Sequence, residues 1–235
     1  MNAYLETVFF EHSTRDLSNA IADLRLGKDV SGIRPEFASV HVNQHATRSG
    51  VGSEPYDGYR AGLAGACADI VLVRGGKVSA VPMIYRKNAP FGKTWWIMGG
   101  AVHNFRAVHH FLLFKALTEG GILKDVKNAD EFYGKHEPFV NCWSFAGVNI
   151  IGLMGLYRTP AEDQDGTGKV CDTINQCYLG TLDHGVEVWH DKDHDQVRWF
   201  TWSDLRAERD MHWYPKRVAM RAIEAYYNAP PSAPQ

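Results

Sequence analysis

The chain has 235 residues, with 45% apolar and 22% charged positions, and 25 Lys plus Arg against 27 Asp plus Glu. That apolar share supports a buried core and excludes wholesale disorder. The formal charge of −2 argues against a dedicated nucleic-acid binder. The longest apolar run, Val148 to Tyr157, carries Asn149 and two glycines and falls well short of the ~20 residues that span a bilayer. Neither nucleic acid nor membrane is therefore expected as a partner. Glu6 stands where a secretory signal would have its apolar stretch. Cys67, Cys142, Cys171 and Cys177 form no C-x-x-C pair and are too sparse for a disulfide framework. They read as free thiols of a cytoplasmic protein, with a Cys171–Cys177 bridge as the alternative.

Taken in order, Leu17 to Leu26 has helical spacing and stops at Gly27. Gln44 to Gly62 contains Gly50, Gly52, Pro55 and Gly58 and reads as a loop or arm. Ala66 to Arg86 reads as two strands joined at Gly75-Gly76, hence a hairpin. Asn88 to Lys93 is a Pro/Gly loop, and Thr94 to Gly100 one short strand ending in paired glycines. Arg106 to Thr118 has apolar residues at three- and four-residue spacing, with Gly120-Gly121 as the stop. Glu131 to Val140, Thr173 to Leu182 and Gln196 to Trp202 read as strands, Ser203-Asp204 as a turn, and Pro215 to Tyr227 as a final amphipathic helix. The expectation is an α/β (α+β) sandwich, a mixed sheet between helices. Residues 1–62 form an N-terminal helical extension or arm, 63–228 the main domain, and 229–235 a frayed tail.

The order strand, Gly99-Gly100, helix, Glu119, Gly121-Ile122 resembles the Nudix box, G-x5-E-x7-R-E-U-x-E-E-x-G-U, where U is bulky and apolar. With Gly100 as the first glycine, Glu119 falls on the last glutamate and Gly121-Ile122 on the closing pair. Arg106, Lys115 and Thr118 replace the other three glutamates, and Phe114 the arginine. Further blocks resemble the GDP-mannose mannosyl hydrolase subfamily: IRPEFASV, Cys67-Ala-Asp-Ile-Val, MIYRKNAPFGKTWWIMGGAV, FYGKHEPF and HDKDHDQVRWFTWSDL. They occur in that subfamily's order over roughly residues 32–225. Gln44–Gly62 and Asn141–Asp172 stand as inserts, and residues 1–29 as an added element.

The resemblance implies a Nudix-type α/β/α sandwich and a hydrolase of a nucleotide sugar. Water would attack the anomeric carbon and a nucleoside diphosphate would leave. It implies Mg²⁺ (or Mn²⁺) held by the Gly99 carbonyl, Glu119 and Asp193, with His194 as general base. Asp69 and Arg86 would contact the ligand. Two family arginines fall on Ala101 and Phe114, so substitute charge would come from Arg106, Lys115 or Lys87. A homodimer through the N-terminal part is also implied.

Elementary chemistry is compatible with those roles. A departing diphosphate needs positive charge, and a neutral imidazole suits proton abstraction near pH 7. Either Asp191 or Asp195 would orient His194. Each residue has a plainer reading too: Glu119 as a solvated helix end, Arg86 as an ion-pair partner, His194 as part of a charged surface loop, and Asp69 as a buried carboxyl with a structural partner. The loss of box carboxylates keeps a second function open, a binding or regulatory protein that takes a nucleotide or sugar nucleotide without turnover. A hydrolase of another phosphorylated metabolite is the third.

Overall fold

The computed structural model describes residues 7–30, 33, 65–76, 78–89, 92–101, 108–124, 126, 131–132, 143–162, 170–189 and 194–229. The strands are β1 (Thr7–Glu11), β2 (Gly65–Val73), β3 (Ala80–Ala89), β4 (Gly92–Trp96), β5 (Met98–Ala101), β6 (Ser144–Phe145), β7 (Val148–Glu162), β8 (Val170–Leu182) and β9 (His194–Thr201). The helices are α1 (Thr14–Arg25), α2 (Val108–Glu119), α3 (Trp202–Ala207) and α4 (Trp213–Asn228). One mixed sheet runs β1-β7-β8-β2-β5, with β6 on β7; a second runs β4-β3-β9. The expected α+β sandwich with a mixed sheet is the observed class.

Period-2 alternation along β2 sets the layers. Ala68, Ile70 and Leu72 pack with Val108, Leu112 and Ala116 of α2. Val71 and Val73 face the opposite way, into a core with Leu17 and Ile21 of α1 and Tyr214, Val218 and Ala222 of α4. Strand β1 and helix α1 thus join the main core. Ser18 Oγ donates to the Ala225 carbonyl at 2.8 Å, and Arg217 grips Glu11 through two 2.8 Å hydrogen bonds. Helix α3 begins with a capping box between Thr201 and Asp204.

The structure departs from the sequence reading at several places. Ser203-Asp204, read as a turn, lies within helix α3, where the Thr201 cap starts a helix. The hairpin Ala66–Arg86 opens out: beyond the single bridge Arg74–Ala80, β2 pairs with β8 and β5, whereas β3 pairs with β4 and β9. Strand β2 is buried on both faces and takes a neighbour on each edge, which a two-stranded ribbon does not provide. Thr94–Gly100 is two strands in different sheets, broken at Ile97. The segment Asn141–Asp172, given no element from sequence, supplies β7, which pairs with both β1 and β8. Glu131 and Phe132 are helical rather than extended, and the rest of that expected strand, like the arm Gln44–Gly62, lies outside the described residues. Cys177 is a free buried thiol, so the Cys171–Cys177 bridge is not formed. No helix among the described residues is long and apolar enough to cross a membrane.

Candidate functional site

The site assembles where the two sheets approach each other at β5. Asp69 on β2 lies opposite Gly99 in the antiparallel ladder. Gly99 has φ +144°, and a Cβ there would lie 2.4 Å from both the Ala68 carbonyl and Asp69 Oδ1. Only glycine allows that approach. The tight backbone presents the Gly99 N–H to the end of α2, where it donates to Glu119 Oε2 at 2.9 Å. Glu119 is therefore a buried residue, 6% exposed, and not a solvated helix end.

Two cations share this carboxylate. Lys115, one turn earlier on α2, donates from Nζ to Glu119 Oε1 at 2.9 Å. Arg86, from β3 of the second sheet, donates from Nη2 to the Gly99 carbonyl at 3.0 Å and stands 3.8 Å from Glu119 Oε2. Its Nε is buried without a hydrogen-bond partner among the described residues. The guanidinium carbon lies 5.9 Å from the centre of the Trp96 ring, within cation–π range.

Behind Gly99, Asp69 is 1% exposed and accepts a 2.8 Å hydrogen bond from the Tyr214 hydroxyl. Burial pushes the Asp69 carboxyl up to about 7, against the lowering pull of Arg86 and the Tyr214 hydrogen bond, and the nearby Glu119 adds to the rise. Burial, with the neighbouring Asp69 and Cys177, drives the Tyr214 hydroxyl well above its ordinary range, so Tyr214 acts as a donor.

Of the residues singled out from sequence, Asp69, Arg86, Gly99 and Glu119 meet at this spot. His194 begins β9, with its backbone opposite Arg86 in the β3–β9 ladder; its side chain lies outside the described residues, as do Asp193 and Arg106. Tyr214 was missed, because a tyrosine near the start of an amphipathic helix carries no signal of a partner 145 residues away. Lys115 is one of the three residues from which substitute charge is expected, and its contact with Glu119 follows from the i,i+4 spacing.

Mg²⁺ takes oxygen ligands at ~2.0–2.1 Å in near-octahedral order. Here the Gly99 carbonyl already accepts from Arg86, and both Glu119 oxygens face nitrogen donors. Among the described residues, Arg86 and Lys115 outweigh Glu119 together with the buried Asp69, whose carboxyl stays largely protonated below about pH 7. This donor set, as arranged among the described residues, does not fit Mg²⁺. Its surplus of positive charge and its spare donors suit an anion instead.

No family model and no curated protein matches the sequence. Among solved structures, the chain is similar to the NUDIX domain of Shewanella oneidensis NrtR complexed with ADP ribose, with 11% identity, 78% of this chain and 98% of that one covered, and a TM-score of 0.46. It is also similar to a C. elegans Ap4A hydrolase, with 14% identity, 70% and 98% covered, and a TM-score of 0.46. A NUDIX-family hydrolase from Clostridium perfringens shows 13% identity, 68% and 97% covered, and a TM-score of 0.42.

Proposed function

We propose that this chain is a Nudix-type hydrolase of a nucleoside-diphosphate derivative, with nucleotide sugars as the substrate class. The observation that carries the reading is the position of Arg86. It binds the Gly99 carbonyl, stands beside Glu119, and pairs along the strand with His194. Strand β5, the end of α2 and the backbone at the start of β9 thus all border Arg86. In this reading the diphosphate lies against Arg86 and Lys115, and His194 takes a proton from water. The water oxygen bonds to the anomeric carbon as the bond from that carbon to the phosphate oxygen breaks. The nucleoside diphosphate leaves with the electron pair, its charge stabilised by the two cations.

The test is a panel of GDP-mannose, UDP-glucose and ADP-glucose, read for free sugar and nucleoside diphosphate. His194→Gln should abolish turnover and spare binding; equal activity of variant and parent removes His194 from the mechanism. A second reading, binding without turnover, is favoured by the ammonium of Lys115 on Glu119. It predicts thermal stabilisation by the same compounds with no product.

The homodimer is part of the same proposal. Among the described residues, strand β1 is a sheet edge that leaves Val8, Phe9 and Phe10 at 40, 55 and 41% exposure, and exposed apolar edges invite pairing. Sizing of the intact chain and of a chain lacking β1 tests it.

A further inference from the structure

We propose that Arg86 and Lys115 are resident cations that take the place of a divalent metal ion, so that the phosphates of the ligand are bound without one. The inference deepens the reading above and rests on it for the ligand class. It stands on four contacts. Lys115 Nζ lies 2.9 Å from Glu119 Oε1, and the Gly99 N–H occupies Oε2 at 2.9 Å. Arg86 Nη2 occupies the Gly99 carbonyl at 3.0 Å and stands 3.8 Å from Oε2. Among the described residues, the oxygens expected to face a metal ion, those of the Gly99 carbonyl and Glu119, already face nitrogens of this chain. A Mg²⁺ at its usual ~2.1 Å from Glu119 Oε1 would stand no further than about 5 Å from the Lys115 ammonium, and the two would repel.

Glu119 acquires a different purpose in this arrangement. Its Oε1 accepts from the Lys115 ammonium at 2.9 Å, and its Oε2 stands 3.8 Å from the Arg86 guanidinium. Neither cation is used up. Lys115 spends one of its three donors on Glu119. Arg86 keeps Nε without a partner among the described residues. The side chains remain reachable, at 18% exposure for Arg86 and 26% for Lys115, whereas that of Glu119 is at 8%. A buried anchor carrying two partly open cations is the charge pattern of an anion site.

The experiment uses the full chain and two probes. The first is Mn²⁺ alone, read by loss of the free-ion electron paramagnetic resonance signal. The parent should leave that signal unchanged, and Lys115→Glu should bind one equivalent. Lys115→Gln, which uncovers Glu119 without adding charge, should shift in the same direction and serves if the glutamate variant is unfolded by circular dichroism. Stoichiometric Mn²⁺ binding by the parent overturns the proposal, as do folded variants that remain silent.

The second probe is calorimetric titration with GDP and ADP-ribose, in EDTA and in Mg²⁺. Affinities should agree within about threefold, and a larger gain in Mg²⁺ overturns the proposal. Lys115→Gln should weaken binding about tenfold in EDTA; unchanged affinity also overturns it. If neither nucleotide binds in either buffer, the function proposed above falls, and the Mn²⁺ result alone decides the present inference.

Discussion

Asp69→Asn removes the ionisable group that lies directly behind the Gly99 strand. The folded state holds this carboxyl at about 7, with burial the leading cause, against an unfolded value near 3.8. Between those values the native chain keeps a proton that the unfolded chain has lost. The contribution is fully present below the unfolded value and is lost as pH rises through about 7. The difference between the two values corresponds to about 4 kcal/mol at most, of which about 3 kcal/mol falls between about pH 5 and 8.5. Asparagine keeps an acceptor for the Tyr214 hydroxyl and has no such term. Urea unfolding of parent and variant across this range should therefore show the variant gaining relative stability as pH rises. At about 2–4 °C per kcal/mol for a chain of this size, the gain corresponds to roughly 10 °C in Tm. A stability difference that stays constant with pH refutes the buried-carboxyl account of Asp69.

Tyr214→Phe leaves Asp69 Oδ2 without its donor and should cost about 1–3 kcal/mol. The loss should be smaller in the Asp69→Asn background, measured by a double-mutant cycle. His212 has the opposite pH sign. Its Nδ1 accepts from the Tyr214 N–H at the start of α4, and burial lowers it to about 4. Its contribution is full above its unfolded value near 6.5 and is lost as pH falls toward 4. His212→Asn keeps a cap and should remove up to about 3 kcal/mol of acid sensitivity, read from acid unfolding curves. Gly99→Ala meets backbone at 2.4 Å, whereas nothing lies within 4 Å of the same addition at Gly100. Both substitutions strain the backbone by about 1–3 kcal/mol, and the first should cost at least about 2 kcal/mol more. Equal losses in urea unfolding would contradict the close approach of β5 to β2.

Local sequence determined the elements whose signals are local. The spacing of Leu17, Ala20 and Ile21, of Leu112, Ala116 and Leu117, and of Val218, Ala222 and Ile223 specified three helices, because a 3.6-residue repeat produces one apolar face wherever the helix is placed. Thr173–Leu182 and Gln196–Trp202 read as strands for the same kind of reason. The paired glycines and Glu119 marked the candidate site. Tertiary structure alone decided the partners. A strand pattern states that a segment is extended and not which edge it meets, so the separation of β2 from β3 and the insertion of β7 between β1 and β8 were invisible. The same holds for the chemistry at Glu119. A carboxylate attracts whichever positive group packing delivers. Here packing delivers Lys115 from the same helix and Arg86 from the other sheet.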